Sequence, residues 1–273
     1  MRWLQKLGVH AALLLYTLVA ISPVLLIIMN SFKSRRAIFT NPLSFPTAET
    51  FDLVGYQTVF DRSAFHVYFG NSLIVTVVSL LLILLAGSMA AYALAEYRFK
   101  GNAFLGLYMA VGIMIPIRLG TVVLLKMLVA LSPPSPLISL VLIYTASGLP
   151  LAVFVLSQFM RQVPKELKDA ARVDGASEYR IYWMTLPLVR PAIGTVMVIN
   201  MIPIWNDLWF PLLLASAPET RTVILGAQIF LGQFISDWNA VLASLTLSML
   251  PVIALYFIFS RQLIRGLTAG AVK

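Results

Sequence analysis

The sequence predicts an all-α integral membrane protein with six transmembrane helices. Hydrophobic residues make up 60% of the 273-residue chain and charged residues only 11%, and the mean hydropathy is +0.89. A water-soluble domain carries about a quarter charged residues, so an ordinary soluble enzyme is excluded. Six apolar runs reach about 20 residues each, which at a rise of about 1.5 Å per residue is enough to cross a hydrocarbon core of about 30 Å.

The predicted spans cover residues 7–29, 71–95, 103–125, 137–160, 191–215 and 239–260. We expect the first run to be retained, because it exceeds the apolar region of a signal peptide, about 7 to 15 residues, and no small-residue cleavage pattern follows it. The connection 31–70 is long, and we expect an interfacial helix near residues 50–60. Residues 132–136 (Ser-Pro-Pro-Ser-Pro) can only turn, because proline lacks the donor that a helix needs. Residues 216–238 form an outer loop.

The distribution of Lys and Arg predicts the orientation of the spans, since cytoplasmic connections retain positive charge. With the N-terminus inside, 13 of the 20 basic residues fall on inner segments and six on outer segments, and Arg118 lies within the third span. We therefore expect both termini to be cytoplasmic. The net charge of +9 is explained by this orientation. It does not indicate nucleic-acid binding, because so apolar a chain cannot build the basic face that nucleic acid requires.

The inventory of reactive side chains predicts no metal and no cofactor in this chain. Cysteine is absent and only two histidines occur, His10 and His66, so thiol chemistry and Cys-based or His-rich metal sites are excluded. The phosphate-binding pattern Gly-x-x-x-x-Gly-Lys-Ser/Thr does not occur either. The chain therefore cannot itself be an ATPase.

The inner connection 161–190 is much longer than a turn between two spans requires. Its pattern predicts a helix, a turn and a second helix. Pro164 suits a first helical position, Lys165 and Asp169 are spaced as an i,i+4 ion pair, and Gly175 ends the first helix. Ser177 can cap the second helix, which we expect Pro187 to stop before the fifth span.

Within this connection, the run Asp169-Ala170-Ala171-Arg172-Val173-Asp174-Gly175-Ala176 resembles the "EAA" loop of permease subunits in binding-protein-dependent ABC importers. Asp169 stands where the family usually has Glu. The flanking segments 163–167 and 186–191 are similar to the same family. Trp205-Asn206-Asp207 and the ending 265–273 resemble the carbohydrate branch, in particular its maltose-type smaller permease. The resemblance covers residues 71–273.

The resemblance implies a type I importer permease fold with a first helix and outer loop at 1–70, a core domain at 71–265 and a cytoplasmic tail at 266–273. It implies a sugar or oligosaccharide permease of the bacterial cytoplasmic membrane that forms half of the translocation pathway. The implied partners are a homologous second permease, two ATP-binding subunits that hold ATP and Mg, and an external sugar-binding protein. The implied ATPase-coupling residues are Glu166, Asp169, Ala170, Ala171, Asp174 and Gly175, and the implied ATPase contacts of the tail are Gly266, Leu267, Thr268, Ala269 and Gly270.

Four polar residues within the spans have two open interpretations. A charge at mid-bilayer costs about 2.5 to 3.5 kcal/mol, so Arg118 and Asp207 need a partner or water. Together with Asn200 and Asn206 they either face a polar pathway or partner subunit, or serve helix packing and a structural ion pair.

Three other functions are alternatives to a sugar permease. An ABC permease for glycerol phosphates, polyols or another small polar solute remains open. An ion-driven secondary transporter usually carries acidic groups near the midplane, and Asp207 is the only acidic residue within a predicted span. A membrane-embedded enzyme would need convergent acids, His or Cys, which the spans do not provide.

Overall fold

The computed structural model describes residues 2–232 and 236–269, with side chains at 6–232 and 236–257. Within these residues the chain is helical and divides into two compact units, Met1–Phe69 with Val223–Leu250 and Gly70–Thr222 with Pro251–Lys273. The α-helices of the described residues are α1 Arg2–Ser31, α2 Arg35–Thr40, α3 Val54–Arg62, α4 Phe65–Glu96, α5 Asn102–Met114, α6 Thr121–Leu131, α7 Pro136–Arg161, α8 Lys165–Val173, α9 Glu178–Thr185, α10 Arg190–Trp205, α11 Trp209–Leu214, α12 Val223–Ala227 and α13 Trp238–Ala269.

Four predicted spans correspond to single helices, α1, α4, α7 and α13, and each helix extends beyond the predicted run. The short helix expected near residues 50–60 is present as α3, which begins slightly later in the chain. The turn predicted at residues 132–136 separates α6 from α7, with Ser135 capping α7 through its side chain. Among the described residues, five helices are long and apolar enough to cross a membrane, and a bent pair makes a sixth if it counts as one span.

The prediction of one continuous third span was wrong. Helix α5 ends before Pro116, and Asn102–Met114 and Ile117–Leu131 are bent by 87° relative to each other. Pro116 has no N–H to continue the ladder of helix α5, and its ring disfavours helical backbone at Ile115, which is extended. Arg118 therefore lies in a short 3-10 helix, Ile117–Gly120, at the break between α5 and α6, and not inside an α-helix.

The boundaries predicted for the fifth span were also wrong. Helix α9, a short 3-10 helix at Leu186–Val189 and helix α10 form one long candidate span, Glu178–Trp205. Pro187 does not end this span, because it lies in the first turn of the 3-10 helix, where its missing N–H is not needed. At the other end, α10 stops at Trp205 and the short helix α11 follows. The connection between α7 and this span is thus 162–177.

In the unit that contains α1, Lys33 is fully buried, and no carboxylate among the described residues pairs with it. Its ammonium donates to Asn30 Oδ1 at 3.1 Å and to the carbonyl oxygens of Asn41 and Pro42 at 2.9 and 3.3 Å. Burial lowers the pKa of the Lys33 amine. This lysine, one of the outer basic residues in the sequence count, therefore ties the end of α1 to the backbone that follows α2.

In the other unit, helices α4, α7 and α10 pack closely where α7 carries Gly148. A Cβ at this position would clash with Ile83 of α4 and with the amide oxygen of Asn200 of α10. Because glycine removes that atom, the three helices can approach one another, and buried apolar side chains from all three form one core. This packing fixes the helices around the cavity described below.

Candidate functional site

Helix α8 ends as the sequence predicts. Gly175 has φ +78°, in the left-handed region, and its N–H donates to the Arg172 carbonyl at 3.0 Å. The N–H of Ala176 donates to the Ala171 carbonyl at 2.9 Å, which completes a Schellman turn. The Ser177 side chain then caps α9, which is also as predicted. The connection is therefore an ordered structure in which α8 is held between two defined ends.

Helix α8 has one face toward its own chain and one face exposed. Lys168 and Ala171 are buried, and Ala171 packs into the apolar core. Val173 is 88% exposed, and Leu167 is also exposed. Five of the residues implied for ATPase coupling are exposed, namely Glu166, Asp169, Ala170, Asp174 and Gly175. Of that set only Ala171 faces inward. Leu167 and Val173, the two exposed apolar residues, were not among the residues predicted for coupling.

The inward face of α8 is bound to the end of α4 by ion pairs. Glu96, the last residue of α4, has a side chain that is only 7% exposed. Lys168 donates to one of its carboxylate oxygens, and Arg172 Nη2 donates to the other at 2.6 Å. The two cations come from α8, more than 70 positions further along the chain. Both oxygens of a buried carboxylate are thus used to hold this helix.

Arg172 extends this contact to α9. Its Nε donates to Glu178 Oε1 at 2.9 Å and its Nη1 donates to Asp169 Oδ1 at 2.8 Å. The hydrogen bond to Glu178 contributes most to raising the pKa of Arg172 above its ordinary value. The predicted pair of Lys165 with Asp169 was wrong, because the Asp169 carboxylate is bonded to Arg172. We call Glu96, Lys168, Arg172 and Glu178 the Glu96 cluster.

Two tyrosines add neutral donors to the Glu96 cluster. The hydroxyls of Tyr92 and Tyr97 donate to Glu178 Oε2 at 3.1 and 2.9 Å. Burial raises the pKa of the Tyr97 phenol, so it stays protonated and able to donate. One helical turn before Tyr92, the hydroxyls of Ser88 and Tyr182 are hydrogen-bonded at 2.7 Å. The end of α4 is therefore bound to α9 as well as to α8.

A second polar group lies at the breaks in the third and fifth spans. Asp207 is buried, and its Oδ1 accepts from Arg118 Nη2 at 3.3 Å, while Arg118 itself is 68% exposed. Asp207 Oδ2 accepts from the Tyr144 hydroxyl at 2.8 Å. The backbone N–H groups of Trp209 and Phe210 also donate to this carboxylate, at 3.3 and 3.1 Å. Asp207 thus caps the first turn of α11.

These residues line a cavity of about 760 Å³ between helices α5, α7 and α10. Arg118 and Asp207 are the charged residues among its described lining, and they are paired. Asn200 also lines the cavity, and its amide donates to the Val196 carbonyl at 2.9 Å. Asn206 is exposed and is not part of the lining. Three of the four polar residues singled out in the sequence are therefore brought together.

We expect Asp207→Ala to lower the stability of the protein by about 2 to 4 kcal/mol, because a buried hydroxyl and two backbone N–H groups lose their acceptor. Arg118→Gln should cost less than about 1 kcal/mol. The guanidinium of Arg118 is exposed to water in the folded protein, so its ion pair with Asp207 contributes little to stability. Thermal unfolding of the two variants in detergent measures the difference. Equal destabilisation would contradict the conclusion that Asp207 acts mainly through its buried hydrogen bonds.

The tail contacts implied by the resemblance cannot be placed at side-chain level. Gly266, Leu267, Thr268 and Ala269 lie in the last turns of α13, for which only the backbone is described, and Gly270 lies outside the described residues. The residues that are described contain no group of three His, Cys, Asp or Glu side chains able to hold a metal ion.

Long apolar helices around a partly polar cavity, with an ordered helix held at one end, define a membrane-embedded transport component. A family model described as "binding-protein-dependent transport system inner membrane component" matches residues 83–269. The chain belongs to this family, whose members are transport permeases and not enzymes. It is therefore a multi-pass membrane protein, and the fold predicted from the sequence, that of a type I importer permease, is confirmed.

Relatives and solved structures agree with this family. The chain is 35% identical to a putative ABC transporter permease protein, ORF2, of Caldicellulosiruptor sp., over 96% of this chain and 94% of the relative. It is 34% identical to a probable starch degradation products transport system permease protein, AmyC, of Thermoanaerobacterium thermosulfurigenes, over 94% and 93%. A crystal structure of a bacterial ABC transporter involved in alginate import matches with a TM-score of 0.79 at 21% identity, over 96% and 98%.

Proposed function

We propose that the chain forms half of the translocation pathway of a sugar importer and that α8 receives the motion of separate ATP-hydrolysing subunits. The observation that carries the proposal is the division of α8 into two faces. Its outward face presents Glu166, Asp169 and Val173, while its inward face is ion-paired to α4 and α9. A helix held in this way moves together with the helices to which it is bound.

The Glu96 cluster gives this coupling a physical route. ATP-driven closure of the partner subunits would press on the exposed face of α8. Because Glu96 and Glu178 bind the same arginine of α8, that displacement would reach α4 and the span Glu178–Trp205 together. The span ends beside the cavity that Asp207 lines, so its movement would change access to that cavity. Such a rigid-body shift between two states couples two distant sites.

The remaining assembly follows from the family. The second permease would be homologous but not identical, and two ATP-binding subunits would hold ATP and Mg at the end of the bundle that carries α8. That end would be cytoplasmic in a bacterial inner membrane, in agreement with the count of basic residues. A sugar-binding protein would dock on the opposite side, against the loop 216–238, and the tail 266–273 would contact the ATPases.

The charge balance of the cavity favours a neutral sugar or oligosaccharide. Arg118 and Asp207 neutralise each other, so this chain offers no excess positive charge to a glycerol phosphate. Relatives that are named for starch degradation products, diacetylchitobiose and arabinooligosaccharides are 34%, 30% and 31% identical to this chain. Saccharides are the solutes that these three names share.

Uptake by the reconstituted importer tests this function. The permease pair, the ATPase subunits and the cognate binding protein are placed in proteoliposomes, and uptake of a neutral oligosaccharide panel is compared with that of glycerol 3-phosphate and polyols. The ligand of the binding protein is measured in parallel by calorimetry. We expect ATP-dependent uptake of a neutral oligosaccharide. Uptake of glycerol 3-phosphate or a polyol alone would contradict the assignment.

A further inference from the structure

Three basic residues line one cavity at the end of the bundle that carries α8. Arg98 and Lys100 belong to the connection between α4 and α5, and Arg161 is the last residue of α7. The cavity measures about 760 Å³, and its described lining contains no acidic residue. All three residues are exposed. The arrangement concentrates positive charge around one opening.

These cations lack the carboxylate partners that other basic residues of this end possess. The ion pairs within the described residues involve Lys168, Arg172 and Arg118, and none of the three cations that line the cavity. Arg161 donates one N–H to the Leu94 carbonyl at 3.4 Å, which leaves most of its guanidinium donors for another acceptor. A multiply hydrogen-bonding anion would satisfy this group of donors.

The basic opening continues into a groove between two membrane helices. A second cavity, of about 390 Å³, shares Leu94, Asn102, Ala103 and Arg161 with the first. It is then lined by Gly106 and Met109 of α5 and by Val153 and Phe154 of α7. Open space lies beside Gly106, because a Cβ at that position would meet no atom within 4 Å. Ser157 and Gln158 of α7 complete its lining, so the site has a cationic end and an extension of mixed polarity along the helices.

We propose that this site binds an anionic phospholipid. The phosphate lies among Arg98, Lys100 and Arg161, and one acyl chain lies in the groove beside Gly106 and Phe154. Basic pockets between membrane helices bind anionic headgroups in this way. The exposed aromatic rings of Tyr97 and Phe99 flank the opening, which is the preferred position of aromatic side chains at a membrane interface.

The groove distinguishes a lipid from other anionic ligands. Free phosphate would use the basic opening alone and would gain nothing from the groove. An acidic surface of another protein would also cover the basic residues without entering the space between α5 and α7. A phospholipid uses both parts, because its charged headgroup and its acyl chain are covalently joined. Lipid binding at this site is independent of the solute that the importer carries.

Native mass spectrometry of the complete importer, equilibrated with phosphatidylglycerol or phosphatidylcholine, tests the proposal. We expect at least about tenfold weaker retention of phosphatidylglycerol in R98Q/K100Q/R161Q, since each juxtamembrane cation contributes about 1 kcal/mol. G106L should also reduce retention, because its side chain fills the groove while every charge is kept. R180Q/R190Q, which removes exposed cations outside both cavities, should leave retention unchanged.

Four results would overturn the proposal. Equal retention in all variants would mean that the lipid binds elsewhere, and unchanged retention in G106L would remove the groove from the site. Displacement of the lipid by millimolar inorganic phosphate would identify a site for a free anion. Loss of the ATPase subunits from R98Q/K100Q/R161Q with normal lipid retention would show that another protein covers the cations.

Discussion

Glu96→Gln is expected to reduce sugar uptake at least about tenfold, the effect of a 1.4 kcal/mol loss. The substitution leaves the buried Lys168 ammonium beside a neutral amide and removes a charged partner from Arg172. Breaking a buried ion pair at one partner costs about 3 to 5 kcal/mol, and the retained amide oxygen offsets only part of this. We expect α8 to lose its fixed position relative to α4. Uptake into proteoliposomes and ATP hydrolysis are measured on the same preparation.

A second variant separates coupling from folding. Glu96→Gln combined with Lys168→Met removes the unpaired cation, so we expect thermal stability to recover while uptake stays low, because α8 is still not anchored to α4. Glu49→Gln, an exposed position outside the cluster, is the matched control and should leave both quantities unchanged. Normal uptake in Glu96→Gln, or recovery of uptake in the double variant, would contradict a role of Glu96 in coupling.

The second large effect is expected at Gly175. Its φ of +78° disfavours a β-branched side chain, so Gly175→Val should break the Schellman turn and abolish uptake. Asn tolerates this backbone conformation, and a Cβ at position 175 meets no atom of this chain within 4 Å. Gly175→Asn should therefore fold normally and still lose uptake, because the added side chain would occupy the space proposed for the ATPase subunit.

Gly101 provides a control for this experiment. It also has a positive φ, +98°, and a Cβ there would meet no atom within 4 Å, but it lies in the connection before α5. Gly101→Asn should keep both stability and uptake. If Gly175→Asn transports as well as Gly101→Asn does, the outward side of this turn is not a close contact of the ATPase.

The sequence was informative where a local pattern determines structure. Gly175 and Ser177 predict the two ends that the structure shows around the α8 to α9 turn, because capping depends on neighbouring residues. Prolines were harder to interpret. Pro150 and Pro251 lie inside helices, whereas Pro116 separates two helices bent by 87°. Since membrane helices tolerate proline when neighbours satisfy the freed backbone groups, the residue alone does not predict a break.

The Glu96 cluster could not be predicted in the same way. Glu96 ends a long apolar helix, where a carboxylate is common at the membrane surface, and its partners Lys168 and Arg172 are 72 and 76 positions away. No local spacing indicates such a pair. The pair of Arg118 with Asp207 was easier to anticipate, because a charge within a span requires a partner. Ion pairs between residues far apart in the sequence can be identified only from the packed arrangement of the helices.

Labelling of a single cysteine tests most directly whether the ATPase subunits dock on the exposed face of α8, as proposed. The chain has no cysteine, so Val173→Cys introduces a unique thiol at a position that is 88% exposed. Leu43→Cys, on the connection between α2 and α3, provides an exposed control. A maleimide should label Cys-substituted position 173 in the permease pair alone and be blocked once the ATPase subunits assemble, while position 43 stays reactive in both. Equal labelling of position 173 with and without the ATPase subunits would contradict the account.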